Sequence, residues 1–243
     1  MLLLLSAVAL VYTTPWDNYL VATRVWWYNS DLVLGIILGW VPLEEYAFFV
    51  LQPILTGLWV LYWGRRLSLS HGLAVTSPRL RWVTTLVGGL VWLGVGAILV
   101  AGWQPGTYMA LEVGWMVPPI LLQLSFGADI LWHQRRWISF SLASATLYYS
   151  LADALAISAG TWTIDPAQSL PILLGGVLPL EEFVFFFLTN TLIVFGVVLM
   201  LSMESHDRIR HMMQSLSRQG WIPPLIAVKS ETTEPISQPA KET

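Results

Sequence analysis

The stretch Gly39-Trp-Val-Pro-Leu-Glu-Glu-Tyr-Ala-Phe-Phe49 sets two adjacent carboxyl groups inside an apolar run, and it occurs twice. The second copy is Gly176-Val-Leu-Pro-Leu-Glu-Glu-Phe-Val-Phe-Phe186. Asp17, Trp26 and Asn29 precede the first copy, and Asp153, Trp162 and Asp165, about 136 residues on, precede the second in the same order. Self-similarity at a fixed offset marks a duplicated structural unit.

Outward from these motifs the chain is strongly apolar. Of its 243 residues 56% are hydrophobic and 11% charged, with a mean hydropathy of +0.64. A soluble domain carries about a quarter of its residues as charges, so lipid is the expected solvent for most of this chain. Crossing a hydrocarbon core takes about 20 helical residues, and apolar stretches of that order run over 1–22, 38–63, 81–101, 108–132, 138–158 and 173–202. These predict six spans. The two motif helices are the second and the sixth, an even step apart, so the repeat is parallel rather than inverted. Arg65, Arg66, Arg79, Arg81, Arg135, Arg136, Arg208, Arg210 and Arg218 fall on one side of such a bundle, against Arg24 alone on the other, which places both termini in the cytoplasm. The first residues lack the positive start and the cleavage site of a secretory signal and read as membrane helix. Beyond about Gly220 the chain loses any periodic apolar face and reads as a flexible tail.

Composition also excludes chemistry. The net charge of -3 provides no basic field for phosphates, so nucleic acid is not an expected partner. Without cysteine there is no disulfide, thiol catalysis or thiolate metal site. His71, His133, His206 and His211 lie in expected loops or tail without metal-ligand spacing, and Gly94-Val-Gly96 lacks the strand, third glycine and helix of a dinucleotide fingerprint. No cofactor and no metal is expected. Asp129, near His133 and Arg135, reads as an interfacial charge.

The carboxyl groups are the informative feature. Seven lie in apolar surroundings: Asp17, Glu44, Glu45, Glu112, Asp153, Glu181 and Glu182. Pro-Leu-Glu-Glu is in part a helix start, with proline in the first turn and acids at the positive end of the dipole. Yet an acid at the centre of a span costs roughly 2.5–3.5 kcal/mol, less near the interface, and no cation inside a span is there to neutralise them. They fall in one layer toward one end of the bundle. Some are expected to keep a proton, since a low-dielectric surround and a neighbouring carboxylate both disfavour ionisation. A neutral carboxyl beside an ionised one is equipment for general acid and base work, and equally for a proton relay. Most of the 14 tryptophans sit at span ends as an aromatic belt. Phe48, Phe49, Phe185 and Phe186 follow the acids by one turn, where their faces suit a carbocation.

The duplicated Pro-Leu-Glu-Glu-aromatic-x-Phe-Phe, the upstream aspartate of each copy and the tryptophan before each loop resemble the membrane-integral lycopene β-cyclases, in their fused two-half form. The resemblance extends to about Ser202. Trp115-Met-Val-Pro-Pro-Ile-Leu-Leu through Arg135-Arg136-Trp137 is similar to the helix that opens each half in that family, and the first half here starts without one. The implied fold is an all-α polytopic membrane bundle of about six helices: a first repeat over 1–78, a connecting helix over 79–105, a second repeat over 106–203 and a polar cytoplasmic tail over 204–243. The implied reaction is redox-neutral: an acid protonates the end of a linear carotene such as lycopene, the cation closes a ring, and a base removes a proton to leave a β-ionone ring. By resemblance Glu44, Glu45, Glu181 and Glu182 are the catalytic candidates, with Asp17 and Asp153 as supporting carboxylates. Phe48, Phe49, Phe185, Phe186, Trp26 and Trp162 are expected to contact substrate, and Glu112 stands outside the repeat. Partners implied are the carotene, the bilayer and other carotenoid enzymes. A carotenoid hydratase and a proton-coupled transporter are the competing readings. A prenyltransferase would need Asp-rich magnesium motifs, and no D-x-x-x-D or D-D-x-x-D occurs.

Overall fold

The computed structural model describes residues 1–67, 76–219 and 221. Six long helices account for most of it: α1 (Leu2–Ala22), α2 (Leu43–Arg66), α3 (Pro78–Ala101), α4 (Thr107–His133), α5 (Arg135–Ser158) and α6 (Leu180–Leu201). Helices α2 to α6 are long and apolar enough to cross a bilayer, α4 with the short turn before it. Helix α1 has 21 residues, but Thr13, Thr14, Asp17 and Asn18 dilute its apolar character. The fold is an all-α membrane bundle. His71 and nearly all of the tail expected beyond Gly220 lie outside the described residues.

The expected spans over 38–63 and 173–202 start too early. Their first residues form small hairpins, β2 (Ile37–Leu38) with β3 (Val41–Pro42) and β5 (Leu173–Leu174) with β6 (Leu178–Pro179). Gly39, at φ 71°, and Gly175 and Gly176, at 59° and 75°, turn these hairpins in the left-handed region, where a side chain is strained. Each proline is therefore the extended cap of its helix, at φ -70° and ψ 155° for Pro42, rather than part of the first turn. The glutamates fall in the first turn as expected. The first part of the polar tail expected over 204–243 is helical. Met203–Arg218 forms a further helix, α7, whose start is capped by Ser202 Oγ accepting from the Ser205 amide at 3.1 Å. Residues from His206 onward form a unit of their own.

Two strands tie the halves together. β1 (Trp26–Tyr28) pairs antiparallel with β4 (Trp162–Ile164), Trp26 opposite Ile164, Trp27 opposite Thr163 and Tyr28 opposite Trp162. Because Trp26 and Trp162 are equivalent in the repeat, this register maps onto itself when the halves exchange, with Trp27 and Thr163 at its centre. A self-complementary contact of this kind belongs to a two-fold relation. In the first repeat α1 packs on α2, and in the second α5 packs on α6, while α2 and α6 meet at the centre. Helix α4 packs on α6 and carries α3 on its outer side.

The core between the halves has an apolar part and a polar knot. Val60, Ile130, Trp137, Val194, Val197 and Val198 fill the apolar part, and the Trp137 indole N–H donates to the Val60 carbonyl at 2.8 Å. The knot centres on Asn190, fully buried on α6, whose Oδ1 accepts from Thr56 Oγ1 at 2.9 Å, with Gln52 Nε2 beside it donating to Thr189 Oγ1 at 2.9 Å. In lipid such bonds between helices are worth about 1 kcal/mol each. Asp129, expected at the interface, is buried near the end of α4: it accepts from the Ser77 amide at 3.0 Å and lies 3.6 Å from Arg81, joining the start of α3 to α4. Replacing Asn190 with alanine is expected to lower the unfolding free energy of the detergent-solubilised protein by about 1–2 kcal/mol; denaturant titration followed by tryptophan fluorescence checks this.

Candidate active site

At the hairpin end of the bundle the two repeats enclose one cavity of about 310 Å³. Helix α1 contributes Trp16 and Asp17, and α2 contributes Glu44, Glu45, Phe48 and Phe49. From the second repeat come Tyr149 and Asp153 on α5, Trp162 on β4, and Glu182, Phe185 and Phe186 on α6, and α4 adds Tyr108. Five carboxyl groups thus face one space whose lining holds no Lys, Arg or His.

Each half builds its share of this wall in the same way. The aspartate is buried near the end of the helix that leads into the strand bearing its tryptophan. Trp26 Nε1 donates to Asp17 Oδ1 at 3.1 Å, and Trp162 Nε1 donates to Asp153 Oδ1 at 2.9 Å. The first glutamate of each pair reaches back to the preceding loop: Glu44 Oε1 accepts from the Leu34 amide at 2.5 Å, and Glu181 Oε1 from the Leu170 amide at 2.6 Å. The second glutamate projects about 100° further round its helix. Glu45 and Glu182 occupy these positions, close enough to interact electrostatically with one another. Asp17 is near Glu45 and Asp153 is near Glu182.

The loops are held over the site by further polar contacts. In the first half the amide of Trp40 donates to Asn18 Oδ1 at 2.8 Å, Asn18 Nδ2 donates to the Tyr46 hydroxyl at 3.0 Å, and that hydroxyl donates to the Leu38 carbonyl at 2.6 Å. A side chain on Gly39 would collide with Asn18. In the second half the Tyr108 amide donates to the Gln168 carbonyl at 2.9 Å, and Gln168 Nε2 donates to the Arg24 carbonyl at 3.2 Å, so the loops brace each other.

Aromatic rings close the remaining walls. Trp16 stacks on Phe185 with ring centres 5.8 Å apart and planes 3° from parallel. Tyr149 stacks on Phe186 at 5.7 Å, and Phe48 meets Phe186 edge to face at 6.2 Å. Such rings present negative faces to a cation in the cavity.

Of the residues singled out from sequence, the cavity gathers Asp17, Glu44, Glu45, Asp153, Glu182, Phe48, Phe49, Phe185, Phe186, Trp26 and Trp162. Glu181 is fully buried against its loop and does not line the space, and Glu112 is buried on α4 one turn from Tyr108. Sequence reasoning missed Trp16, Tyr108 and Tyr149. A signal existed for two of them: Tyr108 precedes Glu112, and Tyr149 precedes Asp153, by the four residues that put side chains on one helix face.

The family model for lycopene cyclases matches residues 1–63 and 105–201. The chain belongs to the lycopene cyclase family. Its match to the family leaves out the segment that holds α3. Among members, the chain is 37% identical over 197 residues to the lycopene beta-cyclase of Halobacterium salinarum strain R1, covering 81% of this chain and 80% of that protein. It is 33% identical over 216 residues to a bifunctional lycopene cyclase/phytoene synthase of Arthroderma gypseum, covering 82% of this chain and 36% of that protein. A bifunctional relative from Phaeosphaeria nodorum is 37% identical over 205 residues, across 80% of this chain and 34% of its own. No solved structure matches the chain.

Hydrogen bonds to a charged acceptor are worth about 1.5–3 kcal/mol. Glu44→Ala and Glu181→Ala should therefore speed hydrogen exchange at the amides of Leu34 and Leu170 by about tenfold or more, each in its own loop, as resolved by exchange mass spectrometry.

Proposed function

We propose that this protein is a lycopene β-cyclase, and that the cavity between its repeats is where one end of a linear carotene closes to a β-ionone ring. The observation that carries the reading is five carboxyl groups on one apolar, aromatic-walled space without a cation to neutralise them. Protonating an alkene needs an acid shielded from water, and the cation formed must outlive its encounter with solvent. Phe48, Phe185, Phe186 and Tyr149 supply faces for that cation at about 2 kcal/mol each when desolvated. Small-molecule pockets run to about 300–1,000 Å³. A cavity of about 310 Å³ takes one end of a long polyene at a time, and the rest stays in apolar surroundings.

In this reading the roles divide within each glutamate pair. Glu45 and Glu182 face the substrate and move protons. Glu44 and Glu181 hold the loops that cover it, and Asp17 and Asp153, each fixed by an indole N–H, set the field on the glutamate beside them. The reaction is an isomerisation, one proton in and one proton out per ring, so it requires no redox cofactor. The chain carries its first repeat to about residue 78, a connecting helix to about 105 and a second repeat to about 203. With the arginine-rich end of the bundle on the cytoplasmic side, both termini are cytoplasmic and the cavity lies toward the opposite face.

Expression in a host that accumulates lycopene tests this. The expected product is a cyclic carotenoid of unchanged mass, and a product heavier by one water would identify a hydratase instead. Glu45→Gln and Glu182→Gln should each reduce β-ring formation by about 10²–10⁴-fold, the range for losing a general acid or base, while Glu181→Gln, whose amide oxygen still accepts from Leu170, costs far less. Unchanged lycopene beside well-inserted wild-type protein would overturn the assignment.

A further inference from the structure

The two halves repeat the indole bond to each aspartate and the amide bond to each first glutamate, but the second glutamates differ. Tyr108 Oη donates to Glu182 Oε1 at 2.8 Å, and both side chains are buried. Tyr108 stands in the first turn of α4, outside the repeated Asp, Trp and Pro-Leu-Glu-Glu elements. Among the described residues no hydrogen bond reaches the Glu45 carboxyl, which is half-buried at the cavity. Tyr108 is itself held in place, its amide donating to the Gln168 carbonyl at 2.9 Å.

A phenol O–H donates more strongly to a carboxylate than to a carboxylic acid, and hydrogen bonding to the charged form favours that form. We infer that Tyr108 is a positioning residue that makes the duplicated site directional: Glu45 is the proton donor that starts cyclisation, and Glu182 is the base that ends it. This rests on the cyclase reading above. The Glu45 O–H bond breaks as a C–H bond forms at the terminal double bond, leaving a tertiary cation. The electron pair of the next double bond forms the ring C–C bond and moves the cation within the new ring. A C–H bond at the carbon bearing the polyene then breaks, its electron pair becoming the ring double bond and its proton passing to Glu182. The proton gained by Glu182 equals the one lost by Glu45, and no oxidant enters.

The roles predict different failures. A missing donor leaves lycopene unconsumed. A weakened base leaves a longer-lived cation, which loses a proton from a neighbouring methyl or ring methylene or captures water. Wild type, Glu45→Gln, Glu182→Gln and Tyr108→Phe are expressed at matched membrane levels in lycopene-accumulating cells, and products are separated by chromatography and mass. Tyr108→Phe, which removes one oxygen and keeps the ring, should raise the ratio of misplaced-double-bond or hydrated rings to β rings by about tenfold, the factor carried by one hydrogen bond to a charged group. Glu182→Gln should raise it further while lycopene is still consumed, and Glu45→Gln should leave lycopene intact. The inference is overturned if Glu45→Gln yields the diverted rings, if Glu182→Gln blocks consumption as Glu45→Gln does, or if Tyr108→Phe changes the rate without changing the product ratio. Failure of the wild type to form any ring overturns the cyclase reading itself.

Discussion

Carboxyl groups gathered in a membrane interior without cations have to be held by something other than charge pairing, and the architecture at the hairpin end follows from that requirement. Isolated acids at mid-membrane depth cost roughly 2.5–3.5 kcal/mol each on insertion scales. Here the cost is met by fixed dipoles. Indole N–H groups reach Asp17 and Asp153, backbone amides reach Glu44 and Glu181, and a phenol reaches Glu182. The indole and amide donors come from strands and loops over the cavity, and the phenol from the start of α4. The acids therefore order the cover of the cavity as much as the cover shelters the acids.

Duplication supplies this arrangement twice and places the copies face to face. The self-complementary pairing of Trp26–Tyr28 with Trp162–Ile164 brings each tryptophan over its aspartate and closes one shared space instead of two separate ones. A symmetric pair of carboxyl sets has no inherent direction for moving a proton. The fourth helix breaks the symmetry among the described residues, because its Tyr108 donates to Glu182 while no hydrogen bond reaches Glu45.

Much of this was legible in the sequence. The repeat, the six helices and the shared depth of the acids follow from spacing and hydropathy, and the upstream Asp and Trp of each copy prove to be bonded partners. The hairpins were not legible, since Ile37, Leu38, Leu173 and Leu174 read as the continuation of an apolar helix and only the glycines at positive φ betray the turn. The division of labour within Glu44-Glu45 and Glu181-Glu182 was hidden for a different reason. It depends on where the loop brings the amides of Leu34 and Leu170, about ten residues upstream, and a helical wheel does not contain that. Asp129 read as an interfacial charge from its sequence neighbours His133 and Arg135, and its contact with Arg81, at the start of another helix, was not legible.

The central claim is that an exchangeable carboxyl proton is delivered to a hydrocarbon inside the cavity. Its most direct test is the mass of the rings formed when membranes bearing the protein turn over lycopene in deuterated water. The account predicts one deuterium fixed at carbon for each ring closed, so that monocyclic and bicyclic products differ by one. Rings formed without deuterium would mean that the hydrogen came from the substrate itself, and the carboxyl groups would then have no part in starting the reaction.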